Sequence, residues 1–142
     1  MQVSRGLIAL GIQAGDRVAV ASANRVEWNI LDIAVQQVGA ILVPLYPNIS
    51  ESDYRFILND AGVELCVVSN QELVDKITSI RSEVPSLKHL MSFDHVPNCT
   101  HWSEIEANKA SIEPLAVEER MKEVKNADLA TIIYTSGTTG NP

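Results

Sequence analysis

Six consecutive positions, Thr135-Ser-Gly-Thr-Thr-Gly140, hold four hydroxyls and two glycines and concentrate the potential chemistry of this chain. A phosphate chain needs many hydrogen-bond donors converging on a small concave surface. Gly137 and Gly140 lack a Cβ, so the backbone there can take positive φ and come close to an anion. Successive main-chain N–H groups in such turns form an anion-binding nest. Thr135, Ser136, Thr138 and Thr139 add hydroxyl donors. Each hydrogen bond to a charged oxygen is worth roughly 1.5–3 kcal/mol net, so several together would hold a triphosphate. No Lys or Arg lies within the loop, and the two glycines are too close for the Gly-x-x-x-x-Gly-Lys-Ser/Thr pattern of the common NTPases. On composition alone, a polar surface turn accounts for the same residues equally well.

Such a loop works only if rigid elements aim it. Asp128-Leu-Ala-Thr-Ile-Ile-Tyr134 reads as a buried strand running straight into it. Upstream, strands and helices alternate. Val3 to Leu10 reads as a helix stopped by Gly11, residues 12–16 as a turn and residues 17–21 as a strand. Asn24 reads as a helix N-cap with Glu27 three residues on, in the manner of a capping box. Trp28, Leu31, Val35 and Val38 follow at helical spacing up to Gly39. Residues 40–43 form the next strand, closed by Pro44. Ser50 and Asp53 open a helix bearing Tyr54, Ile57, Leu58 and Ala61, with Gly62 at its C′ position. Residues 64–68 are a strand, and Ser69 with Glu72 caps a helix of Leu73, Val74, Ile77 and Ile80, extending toward Val84 and stopped by Pro85. Residues 89–93 are a weaker strand. Trp102 and Ile105 mark a short helix, residues 116–124 a charged, solvated one, and Pro97 and Pro114 punctuate loops. This alternation predicts an α/β fold, with a mostly parallel sheet flanked by helices. The strand over 128–134 would deliver its loop at the carboxyl end of the sheet, where open α/β sheets bind ligands.

The same tail, Tyr134-Thr-Ser-Gly-Thr-Thr-Gly-Asn-Pro142, resembles the phosphate-binding signature of the adenylate-forming (AMP-binding) ligase superfamily, in which Lys-Gly normally follows. Gly15-Asp-Arg-Val-Ala-Val-Ala-Ser22, Asn24-Arg-Val-Glu-Trp28, Gly39-Ala-Ile-Leu-Val-Pro-Leu-Tyr-Pro47 and Tyr54-Arg-Phe-Ile-Leu-Asn-Asp-Ala-Gly62 are similar to the long-chain fatty acyl-CoA synthetase branch. The resemblance implies an incomplete N-terminal subdomain of the adenylate-forming fold, with residues 1–142 beginning and ending inside the domain. It implies activation of a fatty acid by Mg²⁺·ATP to acyl-AMP and transfer to coenzyme A. Thr135, Ser136, Gly137, Thr138, Thr139 and Gly140 would hold the phosphates. Adenine and ribose contacts, the Mg²⁺-binding acid, the acyl tunnel and the catalytic lysine come later in the family. No catalytic residue and no metal ligand is therefore assigned here, and the piece alone is expected to be inactive. A shorter-chain acyl-CoA synthetase, a peptide-synthetase adenylation domain and a non-catalytic α/β binding or structural module stay open as alternatives.

At 142 residues the chain is one ordinary domain at most. Its formal net charge of −7 is a poor match to nucleic acid. That field also repels ATP at long range, but screening confines it to about 8–10 Å, within which loop donors and Mg²⁺ prevail. Cys66, inside the apolar run 65–68, reads as a core filler. Cys66 and Cys99 make neither a disulfide framework nor a zinc site, and favour a reducing cytoplasm. No stretch reaches the roughly 18 apolar residues of a membrane span; peripheral membrane association stays open. His89, His95 and His101, six apart, read as surface or structural histidines. Tyr46, between two prolines, reads as a groove wall or as a semi-buried tyrosine satisfying its hydroxyl. A sheet lacking neighbours would expose edges and promote self-association.

Overall fold

Apolar runs such as Leu65–Val68 call for a strand covered on both faces, and the computed structural model, which describes residues 1–135, provides that setting. Five strands lie in the order β2-β1-β3-β4-β5: β1 Arg17–Ala21, β2 Ile41–Leu45, β3 Val63–Val68, β4 His89–Ser92 and β5 Thr100–His101. Every pairing between them is parallel, and a register shift interrupts the β1–β3 ladder between Arg17 and Val18. Among the described residues six α-helices accompany them: α1 Gln2–Ala9, α2 Val26–Gln37, α3 Glu51–Asp60, α4 Gln71–Ile80, α5 Ser103–Ala107 and α6 Pro114–Glu123.

The period of two along each strand divides the core. Ala19, Ala21, Val43, Leu45, Cys66 and Val68 face one side, where α3 and α4 bring Tyr54, Ile57, Leu58, Leu73, Val74 and Ile77. Val18, Val20, Leu42, Leu65, Val67 and Met91 face the other, where α1, α2 and α5 bring Leu7, Leu31, Val35, Val38 and Ile105. The expected α/β architecture is therefore the observed one. Cys66 is fully buried among these side chains, and burial pushes its thiol up to about 12.

Local chemistry moved several boundaries. Ser50 and Asp53 do form a reciprocal capping box at α3. The cap of α2, however, is Arg25 rather than Asn24; no side chain caps it, and Glu27 forms an ion pair with Arg25. At α4 the cap is Asn70 rather than Ser69, its carboxamide oxygen accepting from the Leu73 amide at 3.1 Å. Strand β2 continues through Pro44 to Leu45. Pro114 opens α6 at its first turn, where the missing N–H costs nothing. Val84 lies beyond a 3-10 turn, Arg81–Glu83, that ends α4. The edge strand β5, two residues long, carries no periodic signal in the sequence.

The connections also fix where a ligand crevice can open. From β1 the chain passes into α2 on one face, and from the adjacent β3 into α4 on the opposite face. The carboxyl ends of β1 and β3 are thus the switch point of the sheet.

Candidate functional site

The segment leading to the glycine–hydroxyl loop starts at a tight turn. Asp128 Oδ2 accepts from the Lys125 amide at 2.8 Å, and the Asp128 amide donates to the Lys125 carbonyl at 3.0 Å. The chain then runs parallel to β2. The Leu42 amide donates to the Ala130 carbonyl at 3.0 Å, and the Ile132 amide to the Leu42 carbonyl at 2.9 Å. Thr131 Oγ1 donates to that same Leu42 carbonyl at 2.9 Å.

The buried strand expected over 128–134 is therefore reduced to a single parallel bridge, Leu42 with Thr131. Pro44 gives the reason. The Leu42 amide points away from β1 toward this segment, so by the period of two the nitrogen of residue 44 points the same way. Proline has no hydrogen to offer there, and the ladder cannot advance. The segment is also only half covered: Ile132 and Tyr134 pack on the core, while Leu129 and Ile133 are each 63% exposed.

Tyr134 anchors the end of this segment. Its ring meets Phe56 edge-on at 6.5 Å, and its phenol donates to Asp60 Oδ2 at 2.6 Å. Partial burial, and then the Asp60 carboxylate, push the phenol up to about 12. Thr135 follows directly and is exposed. The remaining candidate residues Ser136, Gly137, Thr138, Thr139 and Gly140 lie outside the described residues.

Beside that exit point lies a groove of about 640 Å³, lined by Ser22, Ala23 and Asn24 after β1, Trp28 of α2, the 44–48 stretch at the end of β2, and Ile133. Tyr46 is 67% exposed and forms part of its wall, so it is a groove residue rather than a semi-buried one. The backbone carbonyl of Tyr46 accepts from the buried Tyr54 phenol at 2.9 Å, which fixes the turn after β2. Burial raises the Tyr54 pKa and keeps that phenol a donor. The groove is largely apolar and aromatic, with Ser22, Asn24 and Asn48 as polar points.

A second constellation lies at the opposite flank of the same sheet end. Arg25 places Nε and Nη2 on the two Glu27 oxygens, each at 3.0 Å, and Nη1 on Asp94 Oδ1 at 2.9 Å. Its guanidinium also sits 5.0 Å from the Phe93 ring centroid. The Arg25 hydrogen bonds hold the Glu27 carboxyl at about 2. His95 and His101 stack at 3.7 Å. Among the described residues, no group of three or more His, Cys, Asp or Glu is arranged to hold a metal. The Arg25–Asp94 contact spans 69 residues and carried no sequence signal.

Comparison with known proteins accords with this geometry. The model of the AMP-binding enzyme family matches residues 1–142, and the chain belongs to that family. A long-chain-fatty-acid–CoA ligase, FadD15 of Mycobacterium bovis, is 37% identical over 138 residues, covering 96% of this chain and 23% of the relative. The chain thus spans under a quarter of that relative's length. Among solved structures, a Mycobacterium tuberculosis fatty acyl CoA synthetase superposes with a TM-score of 0.74 at 27% identity, over 95% of this chain and 26% of that one. The Mycobacterium smegmatis MbtA apo structure reaches a TM-score of 0.80 over 99% of this chain and 25% of that one; at 22% identity it speaks for the fold alone. No helix of the described residues is long and apolar enough to cross a membrane.

Proposed function

We propose that residues 1–142 form part of the N-terminal AMP-binding domain of a long-chain fatty acid–CoA ligase and contribute its phosphate-holding loop. The fatty acid carboxylate oxygen attacks the α-phosphorus of ATP, forming acyl-AMP as pyrophosphate leaves. The sulfur of coenzyme A then attacks the acyl carbonyl, forming the thioester as AMP leaves. Mg²⁺ bound with ATP supplies charge neutralisation on the phosphates.

The observation that carries this reading is the Tyr134 anchor beside the groove. A segment hydrogen-bonded to the edge of β2 puts Ile133 on the groove wall and is fastened by Tyr134 to Asp60, which supports a phosphate-holding run that starts at Thr135 near the groove. Thr135, Ser136, Gly137, Thr138, Thr139 and Gly140 would donate to the β- and γ-phosphates and to the departing pyrophosphate, where preorganised donors are most effective. The long-chain assignment draws on the 37% identity with FadD15. The groove offers an apolar wall next to those phosphates. On this reading no acid, base or metal ligand is assigned among the described residues, and residues 1–142 by themselves are expected to form no acyl-CoA.

Titration with Mg·ATP, followed by NMR at the Gly137 and Gly140 amides, tests the phosphate role. Saturable shifts at both amides are expected. No response at either would favour an α/β module without nucleotide affinity. In the same sample, fatty acid, ATP and CoA together should yield no acyl-CoA; its formation would overturn the inactivity of the isolated piece.

A further inference from the structure

The switch point of this sheet, where ligands usually bind in such folds, is spanned by a side chain. Arg25 follows β1 and Asp94 follows β4, and β3 lies between those strands. The Asp94 end is fixed to the sheet: the Phe93 amide donates to the Val68 carbonyl at 2.8 Å, and the Asp94 amide to the Ser69 carbonyl at 3.1 Å. Phe93 is itself buried and packed edge-on against Trp102 at 5.4 Å. The Arg25 guanidinium reaches this anchor with both of its edges used, one on Glu27 and the other on Asp94.

The stretch 22–24 that Arg25 terminates is one wall of the groove. Its other side-chain hydrogen bonds are local: Ser22 Oγ to the Ala23 carbonyl at 2.8 Å, and Asn29 Nδ2 to the Arg25 carbonyl at 3.3 Å. Beyond the contacts with Glu27 and Asn29 of the adjoining α2, the Arg25–Asp94 pair is, among the described residues, the only side-chain hydrogen bond or ion pair that ties residues 22–25 to another element. Trp28, one turn into the helix that Arg25 caps, lines the same groove.

We infer that Arg25 is a positioning residue that closes the switch-point crevice and, by gripping Asp94, sets the wall formed by residues 22–24 and Trp28, so that substrate is received in the groove over β1 and β2. This rests on the ligase reading only for the identity of that substrate, coenzyme A, whose part-polar, part-apolar arm matches a groove of apolar walls with Ser22, Asn24 and Asn48 as polar points. The grip requires a planar fork with two usable edges. A lysine keeps the charge but offers a single point and cannot serve Glu27 and Asp94 in the same geometry.

NMR spectra of Arg25→Gln, Arg25→Lys and Asp94→Asn in this chain test the latch directly. All three should shift the Ser22 and Ala23 amides and the Trp28 indole N–H, and Arg25→Lys should not restore them. Unmoved Ser22, Ala23 and Trp28 signals in Asp94→Asn and Arg25→Lys would overturn the inference, and those two variants decide it even if Arg25→Gln fails to fold. In the whole ligase, Arg25→Lys and Asp94→Asn should raise KM for CoA by about tenfold, with KM for ATP and for the fatty acid nearly unchanged, and the double variant should be no worse than either single one. Equal loss toward ATP would mark a merely structural role. If the whole protein made no acyl-CoA at all, the ligase reading would fall, while the spectra would still decide the latch.

Discussion

The phenol of Tyr134 donates a 2.6 Å hydrogen bond to Oδ2 of Asp60, 74 residues earlier in the chain. One bond thus couples the carboxyl end of α3 to the residue just before the glycine–hydroxyl run. The acceptor is charged but exposed, so Tyr134→Phe should cost about 1 kcal/mol, below the full value of a charge-assisted bond. Chemical denaturation measures that loss, and NMR should show the Thr135 amide moving with it. The Tyr134 pKa is raised in the fold to about 12, above the unfolded value of 10.0. The protonated phenol is therefore the form that folding favours. Its contribution is complete below pH 10 and is lost as pH rises from about 10 to about 12. Ultraviolet titration of tyrosinate should show this late-ionising group in the wild type and not in Tyr134→Phe.

Acid should act through Glu27. Its folded pKa is lowered to about 2 from 4.5, foremost by the Arg25 hydrogen bonds, with Asp94 and His101 as the other charged or titratable neighbours of this cluster. The stabilisation it brings is complete above pH 4.5 and is lost as pH falls toward 2. Glu27→Gln should flatten the stability profile in that window. An unchanged slope between the two proteins would contradict the assignment.

Gly6 of α1 lies against the backbone of Ile105 in α5. A Cβ there would overlap the Ile105 carbonyl oxygen, a backbone atom that cannot rotate away. Gly6→Ala should destabilise by about 3 kcal/mol, the range of overpacked or strained sites, and lower the thermal midpoint by roughly 10 °C for a chain of this size. Thermal denaturation followed by circular dichroism measures it.

Pro44 halts the pairing of the last segment with β2. Pro44→Ala restores an N–H aimed at the Ile132 carbonyl and should extend the ladder by one bond, worth about 0.5–1 kcal/mol. Hydrogen exchange at the new residue-44 amide reads the result directly, and exchange at the rate of an exposed amide would refute the explanation given for the single bridge.

His101 is fixed in one tautomer by its surroundings. The Phe93 carbonyl lies 2.8 Å from Nε2 and can only accept, while the Ser103 amide points at Nδ1 from 3.3 Å and can only donate. Long-range ¹⁵N correlation spectra should show the neutral ring carrying its hydrogen on Nε2.

The elements whose signals are local were readable in the chain itself. Valines, isoleucines and leucines recur at 3.6-residue spacing in α4, the apolar run Leu65–Val68 marks β3, and Ser50 with Asp53 closes a capping box over three residues. The glycine–hydroxyl run and its likeness to a ligase signature needed no coordinates, because they consist of consecutive residues. The tertiary structure decided what depends on contacts between distant residues. It placed Glu27 on Arg25 instead of on a helix cap, and Arg25 on Asp94 across the switch point. It turned the nitrogen of Pro44 toward the very segment that needed a donor, and so left residues 128–134 bridged at one point and half exposed. Propensity and periodicity report how a few neighbouring residues share a face. They do not report which side of a strand will meet another, or which charge 69 residues away will stand within hydrogen-bond reach, since both follow from the sheet order and its register.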